Sequence, residues 1–227
     1  MTKTERKRRK KVQTRNRHLI EKYPWLLPRN VWTGKVLKDY NYMFTEFDAM
    51  PPGWNKAFGL LLAADIDAEL RKYNAQNTFR IVQLKEKYGE IRLYYSGGVG
   101  DIDSIINAYS YISQRVCVDC GKLDVPMIND GWMCPTCYNC FKNNFRRREH
   151  YLAKSRAKNG LEFAITDENT IKEKYEKYIC DTPDDNGEYK LPTEYSFTRY
   201  KGDEKEVHTV DISDITEKIR RRRLSKG

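Results

Sequence analysis

The chain has 227 residues, enough for one sizeable core or for one core plus a small appendage. Its 42 Lys and Arg outnumber 32 Asp and Glu for a net charge of +10, but the excess sits at the ends: residues 1–20 hold nine basic side chains against Glu5, residues 218–227 hold six and no acid, and the body between is slightly acidic. No apolar run is long enough to span a bilayer and no apolar stretch follows the basic N-terminus, which argues against a membrane protein or a secretory signal; a soluble, cytoplasmic protein with reduced thiols is the expectation.

Residues 1–18 are too charged and too poor in apolar groups to fold alone, and read as a basic tail that is disordered or becomes helical on a polyanion. Arg6, Lys7, Arg8, Arg9, Lys10, Lys11, Arg15 and Arg17 are its candidate phosphate contacts. In a eukaryotic cell the run Arg6 to Lys11 also has the composition of a nuclear address. An α+β core is expected over 19–116. It opens irregularly, with Tyr23, Pro24, Trp25, Leu26, Leu27 and Pro28 as an aromatic and proline cap. Pro51-Pro-Gly-Trp54 then launches a helix whose stripe of Trp54, Phe58, Leu61, Leu62, Ile66, Leu70 and Tyr73 faces inward. Asp65, Asp67 and Glu69 fall on its other sides and read as a solvated face rather than a metal site.

Asn77 to Leu84 alternates as a strand, Lys85-Glu-Lys-Tyr-Gly89 turns the chain, and Glu90 to Tyr95 returns, with Ile91, Leu93 and Tyr95 on one face and Arg92 and Tyr94 on the other. Ser96-Gly-Gly-Val-Gly100 lacks the Gly-Lys-Ser/Thr ending of a phosphate loop. Asp101 or Asp103 should cap a second helix burying Ile102, Ile105, Ile106, Tyr109, Ile112 and Val116, which runs directly into Cys117.

Five of the six cysteines lie between Cys117 and Cys140. Cys117/Cys120 and Cys134/Cys137 have the C-x-x-C spacing with which two tight turns offer four thiolates to one tetrahedral Zn²⁺, and Gly121 suits such a turn. Cys137/Cys140 is an alternative outer pair. The Cys-Pro-Thr-Cys sequence looks like an ordinary zinc knuckle and favours Cys134, but four of the five bind and the spare one is left open. One structural zinc in a ribbon over 117–140 is expected, with Asn129-Asp130-Gly131 turning its hairpin. Neither disulfides nor a redox pair fit the context.

A basic helix over 141–160 follows, with Lys142, Arg146, Arg147, Arg148, Lys154, Arg156 and Lys158 against Glu149; Arg146, Arg147 and Arg148 are its candidate phosphate contacts. Gly160 breaks it. Residues 161–217 read as a small α+β appendage: a helix from Glu168 to Tyr178, a loop over Thr182 to Gly187, and strands Glu194 to Tyr200 and Glu206 to Ile212 joined at Lys201-Gly202-Asp203. Cys180 is an ordinary thiol. Ser213-Asp214 caps a last helix running into a second basic tail, 218–227, whose Arg220, Arg221, Arg222 and Arg223 complete the candidate set.

Together, Gly53-Trp54, Lys85-Glu-Lys-Tyr-Gly89, Ile91-Arg-Leu-Tyr-Tyr95, Cys117-Val-Asp-Cys-Gly121 and Gly131-Trp132 with its closing cysteines give the middle of the chain, about residues 50–140, a layout that resembles a family of small zinc-ribbon-containing proteins of unknown function encoded by bacteriophages and prophages. The resemblance implies a viral origin and a zinc fold, and no activity. In that family the closing pair stands farther beyond the Trp than Cys134 does, which implies Cys137 and Cys140.

Two basic ends, a basic helix and a ribbon flanked by Trp and Tyr make a non-enzymatic binder of nucleic acid, or of a nucleic-acid machine such as a ribosome, polymerase or effector complex, the expected function. The alternative is a phage effector that inhibits a host defence or transcription complex through its near-neutral body. A metal-dependent nuclease ranks third: His18, His150 and His208 form no His-Asn-His or Asp-His constellation, and four thiolates leave no open metal position.

Overall fold

The computed structural model describes residues 2–30, 32–159, 162–201 and 204–224. It is an α+β fold of seven α-helices and three two-stranded antiparallel sheets among those residues. The first helix, α1, spans Lys3–Lys22. The expectation of a disordered or polyanion-ordered tail is corrected here, for two reasons. Thr2 and Glu5 form a reciprocal capping box, Thr2 Oγ1 accepting from Glu5 N at 3.2 Å and Glu5 Oε2 from Thr2 N at 2.8 Å. The helix then docks through its second half: Gln13 donates to Asn41 O, and the fully buried Asn16 donates to Tyr42 O and Asp48. Lys and Arg are good helix formers, so a cap and a few tertiary contacts suffice.

Beyond α1, Trp25 sits in the core itself, edge-on to Phe47 and Phe79. A helical run follows in three parts: α2 (Pro52–Trp54), a π-helical turn (Asn55–Gly59) and α3 (Leu60–Lys72). Trp54, Phe58, Leu62, Ile66 and Leu70, spaced four apart, are all buried, whereas Tyr73 is exposed. The carboxylates expected on a solvated face are partly buried instead. Asp67 accepts from Trp25 Nε1 at 3.1 Å and from Arg71; Glu69 accepts from Asp101 N and Lys72; Asp65 accepts from Tyr109. Each has a donor from another element, and that offsets its desolvation.

Strands β1 (Arg80–Lys87) and β2 (Glu90–Ser96) form the central hairpin. Its turn is tighter than the sequence suggests: Tyr88 and Gly89 alone make it, both at positive φ, as a two-residue turn matching the strand twist requires. Ile91 and Leu93 face the core; Arg92 and Tyr94 face out. Helix α4 (Ile102–Ser113) packs on α3 and β2. Asp101 occupies its N-cap position without a side-chain cap bond, and Asp103 instead accepts from Tyr95.

The ribbon hairpin is β3 (Met127–Asn129) and β4 (Met133–Pro135), followed by α5 (Tyr138–Ala157) and α6 (Glu168–Tyr178). Hairpin β5 (Glu194–Lys201) and β6 (Glu204–Asp211) leads into α7 (Ser213–Leu224). Gly160, Gly202 and Asp203, read from sequence as break and turn, lie outside the described residues, as do 225–227 of the second tail. The reading of 161–217 as an appendage is corrected. Ile171 is fully buried, Tyr175 donates to Thr136 O at 2.8 Å, and Ile179 bridges to Ile128. Leu191, Tyr195, Ile212 and Ile219 belong to the same core as Trp54 and Phe58. Tyr195 stacks on Tyr111 of α4 at 4.9 Å. These contacts join distant parts of the chain and have no local signature.

Candidate metal centre and basic surfaces

The helix α4 ends against the Cys117 turn, and the turn is fixed from three sides. Trp54 Nε1 donates to Val116 O at 2.7 Å and Gly53 N to Val118 O at 2.7 Å. Cys117 N donates to Lys122 O, and Val118 N to Pro135 O of β4. Gly121, at φ +75°, closes the turn through its N–H to Cys117 O at 2.9 Å. The second pair comes from the start of α5: Cys137 is the N-cap residue, with extended φ and ψ, and Cys140 lies in the first helical turn on the same side.

The Sγ atoms of Cys117, Cys120, Cys137 and Cys140 all lie within 4.8 Å of one another and can hold a metal ion. Cys120 and Cys137 are 3.7 Å apart, close to the edge of about 3.8 Å of a tetrahedron with metal–sulfur bonds of about 2.3 Å. Backbone N–H groups support two of the sulfurs: Cys137 N donates to Cys117 Sγ at 3.5 Å and Lys122 N to Cys120 Sγ at 3.4 Å. Cys134 is outside the cluster, which corrects the knuckle reading. It belongs to β4, opposite Ile128, and its sulfur pairs with Thr136 Oγ1 at 3.2 Å beside Asp130 and Trp132. Pro135 looked like part of a knuckle but is a strand residue, and its carbonyl accepts from Val118 N. The start of a helix at Tyr138 was the signal for the other pair, because a helix N-terminus stabilises thiolates.

The thiols do not titrate alike. A hydrogen bond from Cys137 pulls the Cys117 thiol down to about 5, against the effect of its burial, with help from the N–H groups of Cys120, Cys137 and Asp119. The same bond and burial push Cys137 up, and burial with the nearby Cys117 charge pushes Cys140 up to about 12. Without a cation, negative charge concentrates on Cys117; ionising Cys137 and Cys140 as well calls for a positive ion among them.

The candidate phosphate contacts divide into two groups. Arg6, Lys7, Arg8, Arg9, Lys10 and Lys11 are all exposed on α1. Arg147 on α5 and Arg221 on α7 are exposed too, with Arg221 near Glu217 at 3.7 Å. Others have partners within the chain, although Arg15, Arg17 and Arg148 remain exposed. Arg15 pairs with Asp48 and Arg17 covers the Tyr42 ring at 4.7 Å. Arg146 bonds Glu149 and Thr166 O, and Arg148 bonds Asp130 at 3.0 Å. Arg220 grips both oxygens of Asp124, at 2.8 and 2.9 Å. Arg146 and Arg220 thus have carboxylate partners within the chain, and nothing in local sequence reveals the distant one, Asp124. Arg222 and Arg223 are half-buried on α7.

His18, His150 and His208 lie on α1, α5 and β6, and among the described residues only the four cysteines form a metal-capable cluster. No described helix is long and apolar enough to cross a membrane. Comparison with protein-family models, with curated proteins and with solved structures finds no match.

Proposed function

We propose that the protein is a zinc-stabilised, non-catalytic binder of nucleic acid or of a ribonucleoprotein. The observation that carries this reading is α1. It is a docked 20-residue helix, about 30 Å long. Its first half presents Arg6, Lys7, Arg8, Arg9, Lys10 and Lys11 to solvent, with Glu5 as the acid of the first turn. A basic rod held in place needs no ordering on contact with a polyanion, so more of its electrostatic gain appears as affinity. Exposed Arg147 on α5 offers a further cation, and the exposed rings of Trp132 and Tyr151 suit stacking on bases.

Cys117, Cys120, Cys137 and Cys140 would hold the zinc. All four are soft sulfur donors whose sulfurs lie within 4.8 Å of one another, a set that suits zinc in a closed structural site. When bound, the ion supplies charge neutralisation and a crosslink between the α4 end and the α5 start. The test is purification of the tagged chain from cell lysate with and without nuclease. Co-purifying RNA or DNA that nuclease removes is the expected result. A preparation free of nucleic acid at low salt, before any nuclease, refutes the reading.

A further inference from the structure

The two basic ends of the chain meet at one cleft. It has a volume of about 490 Å³ and lies between α1, the π-helical turn and α7. Arg15, His18 and Lys22 reach it from α1, Lys56 from the π turn and Arg222 from α7. Asp48 is the one carboxylate among the described lining residues, and it is already paired with Arg15. Among the described residues no hydrogen bond or ion pair engages the side chain of His18 or Lys56. Arg15 is compensated by Asp48, which leaves Lys22, over the Tyr23 ring at 5.2 Å, and Lys56 as lysine charges at one concavity, and a bound multivalent anion would offset both.

The construction of the wall also suggests a ligand. A π-helical turn is rare and recurs at functional sites. Here Asn55 pins it by donating to Phe47 O at 2.8 Å, and the turn buries Ala57, Phe58 and Gly59 while leaving Lys56 in solvent. Leu19 and Leu60 add an apolar side to the cleft, with Leu60 substantially exposed. The volume falls in the range of small-ligand sites, about 300–1,000 Å³. Arg offers a planar fork to phosphate oxygens and Lys a point charge. We infer that the cleft binds the phosphate of a nucleotide, with sugar or base against Leu19 and Leu60. The nucleotide is either free or the phosphorylated end of a strand. This inference is independent of nucleic-acid binding by the first half of α1, because Lys22, Lys56 and His18 are not part of that surface.

Isothermal titration of the full chain tests it with two probes, adenosine diphosphate and a short oligonucleotide bearing either a 5′-phosphate or a 5′-hydroxyl. Saturable one-to-one binding is expected, weakened at least about tenfold in the K22A/K56A double variant and retained in K22R/K56R. Both lysines are exposed, and an unchanged melting curve would show that the variants fold. Diphosphate binding identifies a free nucleotide as the source; preference for the phosphorylated strand alone identifies a strand end. Binding of either probe should survive replacement of Arg6 to Lys11 by Gln, which separates this site from the α1 surface. Absence of saturable binding by both phosphate probes, or equal affinity in the parent and K22A/K56A, overturns the inference.

Discussion

Gly53 and Gly121 touch backbone to backbone, although 68 positions separate them in the chain. A Cβ on Gly53 would overlap Cys117 O and Gly121 N, and one on Gly121 would overlap Gly53 O. Gly53 N also donates to Val118 O, and its neighbour Trp54 to Val116 O. The start of the core helix is thereby fastened to the Cys117 turn. Gly53→Ala should destabilise the protein by about 2–3 kcal/mol, the scale of overpacking a tight contact. Urea unfolding reads this directly, and a midpoint equal to that of the parent would mean that the turn yields freely.

Removal of any one cluster thiol should abolish tight metal binding, whereas Cys134→Ser should retain one ion per chain. Elemental analysis of purified variants distinguishes them. Because Cys137 is held protonated by its hydrogen bond to Cys117 and by burial, and Cys140 by burial and the Cys117 charge, ion uptake at neutral pH should release more than one proton. Affinity should therefore fall as pH falls. An affinity independent of pH would exclude thiolate ligation.

Glu149 provides a test of acid stability. It is buried on α5, which by itself raises its pKa, but hydrogen bonds from the Thr166 side chain and N–H and from Arg146 outweigh that and leave it below the usual carboxylate range. A depressed native value means that the unfolded chain takes up the proton more readily. The stabilisation is complete above about pH 4.3, the unfolded value, and is lost as pH falls through the native one. Urea midpoints between neutral pH and pH 3 should decline less steeply in Glu149→Gln than in the parent. Parallel declines would show that Glu149 does not govern the acid limb.

Tyr175 ties α6 to the ribbon through its bond to Thr136 O. Tyr175→Phe removes the donor and leaves a buried carbonyl without it, at a cost of about 1 kcal/mol. A loss of that size in global unfolding, measured by urea titration, is expected if α6 unfolds with the ribbon. An unaltered midpoint would indicate that α6 opens independently.

Periodicity made most elements readable. The four-residue spacing of Trp54, Phe58, Leu62, Ile66 and Leu70 and the alternation of Ile91 and Leu93 each report which face is buried. Asp167, which the reading passed over, caps α6, its side chain accepting from Thr170 N. The clustered cysteines were legible as a group, but the choice between Cys134 and Cys140 depended on whether Pro135 ended a strand or shaped a knuckle. What the sequence concealed was long-range pairing. Asp67 looks solvated until Trp25, 42 positions earlier, is placed over it. Arg220 looks like tail charge until Asp124, 96 positions away, accepts both its nitrogens. A composition that favours disorder in residues 1–18 was overridden by the Thr2/Glu5 cap and by buried Asn16, single polar contacts that charge averages do not register.

The most direct test of nucleic-acid binding is fluorescence anisotropy of labelled single-stranded RNA and duplex DNA, titrated with the full chain over a range of salt. The account predicts log affinity falling linearly with log salt, by about 0.7–0.9 for each phosphate neutralised. Replacing Arg6, Lys7, Arg8, Arg9, Lys10 and Lys11 with Gln should make that slope shallower while the protein melts as before. Affinity that is flat with salt, or a slope unchanged by the six replacements, would contradict it.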